Sequence, residues 1–269
     1  MDALSSARPL AEIPPDVCAG LSVVAFDLDD TFTTEGRIPA VAFDALWRAH
    51  TAGLRTVVVT GRPAGWADHI ARMWPVDGVV AENGALWFRR AGRGLRRRFL
   101  LDDERRAANR ARLDAIAAEI LAAVPGAALA SDQRYREFDL AIDWCEDVPR
   151  LPDESVDRVV SIFRSHGCTA KVSSIHVNGW FGEYDKVGLL GTFLRDELGV
   201  GADVAGVQVL FAGDSPNDEP LFEAFPVSVG VANVVDFRSR LRRAPAWIAS
   251  RRGGQGFAEI VESVLGPAY

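Results

Sequence analysis

The apolar run Val23-Val24-Ala25-Phe26 leads straight into Asp27-Leu28-Asp29-Asp30-Thr31, which packs three carboxylates into a short stretch. A run of this kind reads as a buried parallel strand. Carboxylates crowded at its end repel one another and lose hydration unless a cation or a reacting group compensates them. Mg²⁺ and a phosphoryl group are partners that such a cluster calls for. The alternative for an isolated D-x-D-x-T is an acidic turn that caps the following helix.

Three further segments end apolar runs with chemically useful residues. Thr56-Val57-Val58-Val59 meets Thr60-Gly61-Arg62-Pro63, a hydroxyl, a glycine and an arginine. Tyr184-Asp185-Lys186-Val187-Gly188 places a lysine at the start of an expected helix, where the helix dipole disfavours a cation. Val207 to Ala212 reads as a strand that stops at Gly213-Asp214-Ser215-Pro216-Asn217-Asp218. Each motif alone is weak, and Asp214 to Asp218 could merely favour a helix N-terminus. The order of an acidic pair, a hydroxyl, a lysine and a second acidic pair is specific.

In that order the motifs resemble those of the haloacid dehalogenase superfamily of aspartate-nucleophile phosphohydrolases, at Asp27/Asp29, Thr60, Lys186 and Asp214/Asp218. The Gly-Asp-x-x-Asn-Asp form of the last motif, and Asn83-Gly84-Ala85, are similar to the Cof-like branch and its related sugar-phosphate phosphatases. Phe32 departs from the family, which more often has leucine there. The resemblance spans nearly the whole chain. It implies an α/β fold, a Rossmann-like doubly wound parallel-sheet core with an inserted α/β cap of the second type. It also implies an Mg²⁺-dependent phosphatase acting on a small phosphomonoester of sugar type.

On that footing each residue has an expected role. Phosphate esters repel nucleophiles, so a catalyst must neutralise the phosphoryl oxygens and hold an attacker in line. Asp27 is the expected nucleophile, forming an aspartyl-phosphate. Asp29, two residues on, is the expected acid and then base. The metal set is Asp27, Asp214 and the backbone carbonyl of Asp29, with Asp218 or Asn217 orienting those ligands. Lys186 is one of only two lysines, with Lys171, in an arginine-rich chain. Its compact ammonium suits a place between Asp27 and a phosphoryl oxygen. Thr60, Gly61 and the following amides complete a phosphate cradle. Arg62, Asn83 and the strand face carrying Ser174, His176 and Asn178 are the substrate-binding candidates. Trp47, Trp66, Trp74 and Trp87 are expected to pack.

The elements that must position these residues follow from periodicity. Pro39 to Ala52 has helical spacing and Gly53 stops it, and Pro63 to Trp74 and Gly78 to Ala81 continue a βαβ alternation. Right-handed crossovers then put Asp27, Asp29 and Thr60 on one sheet edge. From Leu86 to Gly179 extended segments surround helices at Asp103 to Ala123 and Asp153 to His166. The alternation returns with a helix from Lys186 to Leu198, another from Asp218 to Phe225, a strand from Val227 to Val231 and a helix from Gly256 to Leu265. The expected division is a core of 1–85 and 180–269 and an inserted cap of 86–179.

The net charge of −7 argues against non-specific binding of nucleic acid. The basic run Arg89 to Arg98 is read as an exposed hairpin, or as a polyanion contact if the chain were a binding module on a hydrolase scaffold. A phosphosugar mutase of the phosphomannomutase type is the other alternative, since it shares the motif order. Cys18, Cys145 and Cys168 are odd in number, far apart and outside any C-x-x-C spacing, so neither a disulfide framework nor a zinc site is indicated. Residues 1–20 have no apolar core of a signal peptide and are read as a poorly ordered leader, and no apolar run approaches a membrane span. The expectation is a cytoplasmic monomer or homodimer whose partner is a small phosphorylated metabolite.

Overall fold

Alternation within the apolar runs sorts their side chains onto two faces of one sheet. Val24, Phe26, Val58 and Val79 fall in one buried cluster, and Val23, Ala25, Val57 and Val80 in another on the opposite face. Strands buried on both faces need helices above and below, which is the layer arrangement of a doubly wound fold.

The computed structural model describes residues 3–266. The extreme ends of the expected leader and core, 1–2 and 267–269, lie outside them. The chain begins with β1 (Arg8–Pro9), α1 (Pro15–Ala19), β2 (Val23–Phe26), α2 (Ala40–Thr51), β3 (Arg55–Val59), α3 (Ala64–Met73) and β4 (Gly78–Ala81). A hairpin follows, β5 (Leu86–Ala91) and β6 (Gly94–Phe99). Next come α4 (Asp103–Ala123), β7 (Ala128–Leu129), β8 (Leu140–Asp143), α5 (Asp153–Ser165), β9 (Thr169–Val172) and β10 (His176–Trp180). The chain closes with α6 (Lys186–Leu198), α7 (Ala202–Gln208), β11 (Val209–Gly213), α8 (Glu219–Ala224), β12 (Val227–Gly230), β13 (Trp247–Ile248) and α9 (Gly253–Leu265).

The core is a nine-stranded sheet in the order β1-β13-β12-β11-β2-β3-β4-β5-β6, parallel except for the β4–β5 and β5–β6 pairings. Helices α2, α3 and α9 cover one face, and α6 and α8 the other. β2 lies between β3 and β11, so the chain leaves it in opposite directions and opens a crevice at its carboxyl end. The second sheet, β7-β8-β10-β9, is antiparallel. Helices α4 and α5 pack on it through Leu113, Ile116, Val159 and Phe163.

Four expectations change. The hairpin β5–β6, placed by sequence in the inserted segment 86–179, extends the core sheet instead. Its first three residues are buried and so join the core. Residues 3–20 of the supposed leader are built into the fold: β1 pairs with β13, and Leu10 is buried in the main core. Val207 and Gln208 belong to α7 rather than to the following strand. Helix α9 begins at Gly253, three residues earlier than its periodicity suggests; Gly253 takes a positive φ of 50°, and a Cβ there would lie 2.6 Å from the Thr33 carbonyl oxygen. The three cysteines are free, and no described helix is long and apolar enough to cross a membrane.

Candidate active site

The carboxyl ends of β2 and β11 are tied together, since the Asp27 amide donates to the Ala212 carbonyl at 2.9 Å. Asp27 is thereby placed beside the loop that follows β11. Helix α6 supplies the cation. Asp185 caps it, its carboxylate accepting the Gly188 amide at 2.8 Å, so Lys186 becomes the first helical residue. The turn at Gly84, with φ +99°, presses on this helix start, and a Cβ there would lie 2.0 Å from the Asp185 carbonyl oxygen. Only glycine allows that approach.

The Lys186 Nζ donates to Asp27 Oδ1 at 2.8 Å and to Asp218 Oδ1 at 3.1 Å. The other Asp218 oxygen accepts the Asp214 amide at 3.0 Å. Asp214 accepts from the Thr31 hydroxyl and from Asn233 Nδ2, both at 3.3 Å. All of these side chains are buried. Carboxylate oxygens of Asp27, Asp214 and Asp218 lie within 4.8 Å of one another.

One ammonium, in contact with Asp27 and Asp218, is therefore set against three buried carboxylates. Burial raises the Asp27 carboxyl well above its ordinary range; Lys186 opposes this, and Asp218 and Asp29 add to it. Burial, then Asp218 and Asp27, raise Asp214 likewise. Lys186 is pulled down by burial, but its two carboxylates more than offset that and hold it charged above the ordinary lysine range. Cation and acid shift the same way because the cation has two partners and each acid has a share of one. The trio is short of positive charge and offers hard oxygen ligands, so its donor set fits a small divalent cation such as Mg²⁺. The Asp29 carboxylate, in contrast, is turned away toward Arg62.

Thr60 follows β3, and its buried hydroxyl accepts the Arg62 amide at 3.0 Å. Gly61 sits against the Asn83 side chain, which a Cβ would approach to 3.1 Å. Arg62 was expected to read substrate, but its guanidinium is already committed. It binds Asp29 at 2.9–3.0 Å, Glu146 at 2.6 Å and Asp132 at 3.2 Å. Trp66, expected only to pack, is 39 % exposed and lies under this guanidinium at 4.5 Å.

His176 and Asn178 do face the core, as strand alternation implies, but both are engaged by acids of the inserted segment. Asn178 and Asn83 donate to the same Asp139 oxygen, at 3.0 and 3.2 Å. His176 Nε2 is 2.8 Å from Glu146, close for an ion pair but poorly aligned for a hydrogen bond. Against the cost of burial, His176 and Arg62 pull the Glu146 carboxyl down to about 2. Arg62, His176 and Asn178, with Ser174 and the strand-end acids Asp27, Asp29 and Asp214, border a narrow cavity of about 20 Å³. That is room for little more than one water.

Sequence reasoning missed the buttress behind this site. Arg136, with a side chain 0 % exposed, donates to the Gly61 carbonyl at 2.8 Å, to Asp139 at 2.9 Å and to Asp132 at 3.1 Å. Glu82 accepts the amides of Ala64, Glu137, Phe138 and Asp139 at 2.7–3.2 Å. Burial and then Asp139, against Arg136, push its carboxyl up to about 7. The turn from Thr60 to Ala64 is thus held at its Gly61 carbonyl and its Ala64 amide. Asn233, which fixes Asp214, was also missed. The one local signal near these residues is the Asn83-Gly84 pair, which accompanies positive φ values at Glu82 and Asn83. The basic run is the expected hairpin, with Arg89 and Arg96 paired to Glu197 and Arg98 to Asp196.

The family model described as haloacid dehalogenase-like hydrolase matches residues 24–95, which take in Asp27, Thr60 and Asn83. The chain is 30 % identical over 252 residues to a phosphoglycolate phosphatase of Pyrobaculum neutrophilum, covering 91 % of this chain and 96 % of that one. Two solved structures share the fold. A protein of Thermoplasma acidophilum superposes with a TM-score of 0.69 at 19 % identity, over 91 % of this chain and 98 % of its own. The sucrose-phosphatase of Synechocystis sp. PCC6803, solved with sucrose and phosphate, gives 0.61 at 17 % identity, over 90 % and 97 %.

Proposed function

The chain belongs to the haloacid dehalogenase-like hydrolases and is a phosphatase of that family, and we propose that it hydrolyses a small phosphomonoester through an aspartyl-phosphate on Asp27, with Mg²⁺ as cofactor. The observation that carries this reading is the Lys186 ammonium bridging Asp27 and Asp218 beside Asp214. In the first step an Asp27 oxygen forms a bond to phosphorus while the bond to the leaving oxygen breaks, and Asp29 gives that oxygen a proton. In the second, Asp29 takes a proton from water, whose oxygen displaces Asp27 and releases inorganic phosphate. Asp29 must exchange its Arg62 contact for the leaving oxygen to do this. Thr60, the Gly61 amide and Lys186 hold the phosphoryl oxygens. Asp27 and Asp214 would hold the metal, with Asp218 orienting Asp214 and Lys186, and Asn233 and Thr31 fixing Asp214. A bound divalent cation supplies charge neutralisation at the phosphoryl group.

The unit built on β7, β8, β9 and β10 is assigned as the substrate-selecting cap. Among substrates, phosphoglycolate stands first, on the name of the Pyrobaculum relative, and a sugar phosphate second, on the fold shared with the sucrose-phosphatase. The test is phosphate release from phosphoglycolate, sugar phosphates and p-nitrophenyl phosphate, with Mg²⁺ and with EDTA. Metal-dependent turnover lost in Asp27→Asn supports the reading. Full activity in that variant overturns it, and an isomerised sugar phosphate without phosphate release would indicate a mutase.

A further inference from the structure

Among the cations around the catalytic crevice, few are free to meet a substrate. Lys186 is held by Asp27 and Asp218, Arg62 by Asp29, Asp132 and Glu146, and Arg136 by Asp132 and Asp139. Arg150 stacks on Trp144 and lines a cleft whose other charged groups, apart from Arg62, are the carboxylates of Asp29, Asp30, Glu35 and Glu146. An anionic leaving group would be repelled there.

The opposite side of the crevice differs. A cleft of about 320 Å³ opens between the cap sheet and the starts of α6 and α8, and Asn83, Lys171, Lys186 and Asn217 line it. Lys171 lies on β9, directly opposite Asn178 of β10, so it shares the cap face turned toward the core. It is exposed, and makes no ion pair or side-chain hydrogen bond among the described residues. The Asn217 side-chain amide likewise has no protein partner among the described residues. The cleft carries two acids. Asp185 is spent on capping α6, and Glu183 is exposed and forms no ion pair with Lys171. The chain has thirty lysines and arginines together but only two lysines, and both line this one cleft. A flexible ammonium with no internal partner suits an anion that comes and goes.

We propose that this cleft receives the acid end of the substrate, with Lys171 as the specificity-determining residue that pairs with a carboxylate on the leaving group. The substrate class is then the phosphate ester of a small hydroxy acid, not of a neutral sugar. This rests on the phosphatase reading above and deepens it. Asn217 would donate to the same carboxylate, while Lys186 serves the phosphoryl end.

The test compares phosphoglycolate with 2-hydroxyethyl phosphate, its neutral counterpart of similar length, in the wild type, Lys171→Met and Lys171→Arg, with Mg²⁺ present. One charge-assisted contact corresponds to a fall of about tenfold or more in the ratio of kcat/KM for acid over neutral ester in Lys171→Met. The fall should sit in KM, and Lys171→Arg should restore most of the ratio. Glycolate should compete with phosphoglycolate in the wild type and lose that competition in Lys171→Met. Turnover of both esters with an unchanged ratio in Lys171→Met overturns the role of Lys171 and leaves the phosphatase reading standing. Absence of turnover of either ester by the wild type overturns both. Because Lys171 is an exposed edge-strand residue, both variants should melt with the wild type, and a shared Tm guards against misfolding as the cause.

Discussion

Replacing Arg136 by methionine tests whether the buttress behind the phosphate cradle is electrostatic. The guanidinium is 0 % exposed and lies against Asp132 and Asp139, the latter also 0 % exposed, with Glu82 nearby. Methionine fills much of the volume but leaves Asp139 without its cation and Asp132 with Arg62 alone. Removing one partner of a buried pair costs about 3–5 kcal/mol. For a chain of this size that is a Tm loss of roughly 10 °C, which a protein of ordinary stability survives. The loss should depend on pH. Glu82 has a folded pKa of about 7 against an ordinary 4.5, so its contribution is complete below 4.5 and is lost as pH rises through 7. Without Arg136 to oppose the shift, its folded pKa climbs further and the loss extends to higher pH. The stability gap between variant and wild type should therefore widen from pH 6 to pH 8, measured by urea unfolding. Adding Asp139→Asn to Arg136→Met should recover about 1–3 kcal/mol relative to additivity. A loss under about 1 kcal/mol, or a gap that narrows with rising pH, would refute the electrostatic account.

Lys186→Met should lower kcat/KM on p-nitrophenyl phosphate by about a thousandfold, and Lys186→Arg should not restore it, because a planar fork cannot occupy the 2.8 and 3.1 Å contacts of a compact ammonium; stopped-time phosphate assays decide this. Gly84→Ala should lower both Tm and kcat/KM, the latter about tenfold or more, because its Cβ drives the Asp185 carbonyl and the start of α6 away from Asp27; a variant of wild-type activity would contradict this. Glu146, held near 2 in the folded chain, contributes stability that is present above pH 4.5 and lost as pH falls through 2, so the advantage of wild type over Glu146→Gln, about 1–2 kcal/mol at pH 7 for this partly exposed pair, should vanish near pH 2 in acid unfolding. Mg²⁺ at a hundredfold excess over its Kd should stabilise the wild type by about 2.7 kcal/mol in thermal melts, and Asp214→Asn should lose that gain.

The strand-end motifs were legible because a parallel strand buried on both faces announces itself as an unbroken apolar run, and its end is where Asp27, Thr60 and Asp214 emerge. Helix α4 was legible to the residue from its spacing, and the structure adds its Asp102 cap. The hairpin β5–β6 was not. Leu86-Trp87-Phe88 suits the edge of either sheet, and the arginines after it carry no period that names a partner strand. The buttress was illegible for a different reason. Glu82, Asp132, Arg136 and Asp139 lie in turns and short 3-10 segments, where burial leaves no periodic trace. Their pairing depends on which loops the two sheets bring together. Arg62 shows the limit of a motif: its position beside the cradle was readable, whereas the three carboxylates that occupy it come from distant segments.

The charge inside the crevice sets an order of events. Four carboxylates, of Asp27, Asp29, Asp214 and Asp218, face two cations, Lys186 and Arg62, which leaves an excess of two negative charges before any substrate arrives. Arg62 is further shared with Asp132 and Glu146, so the excess is not relieved from the cap side. A phosphate ester dianion entering such a site would meet repulsion in a region where burial weakens solvent screening. A divalent cation at Asp27 and Asp214 would remove the excess, so on the proposed reading metal binding would be a condition for substrate binding and not only an aid to chemistry. It would also let Asp27 remain ionised where burial alone favours its protonated form. On this reading the acids lower the stability of the fold, and the same acids create a demand that metal and phosphate together would satisfy.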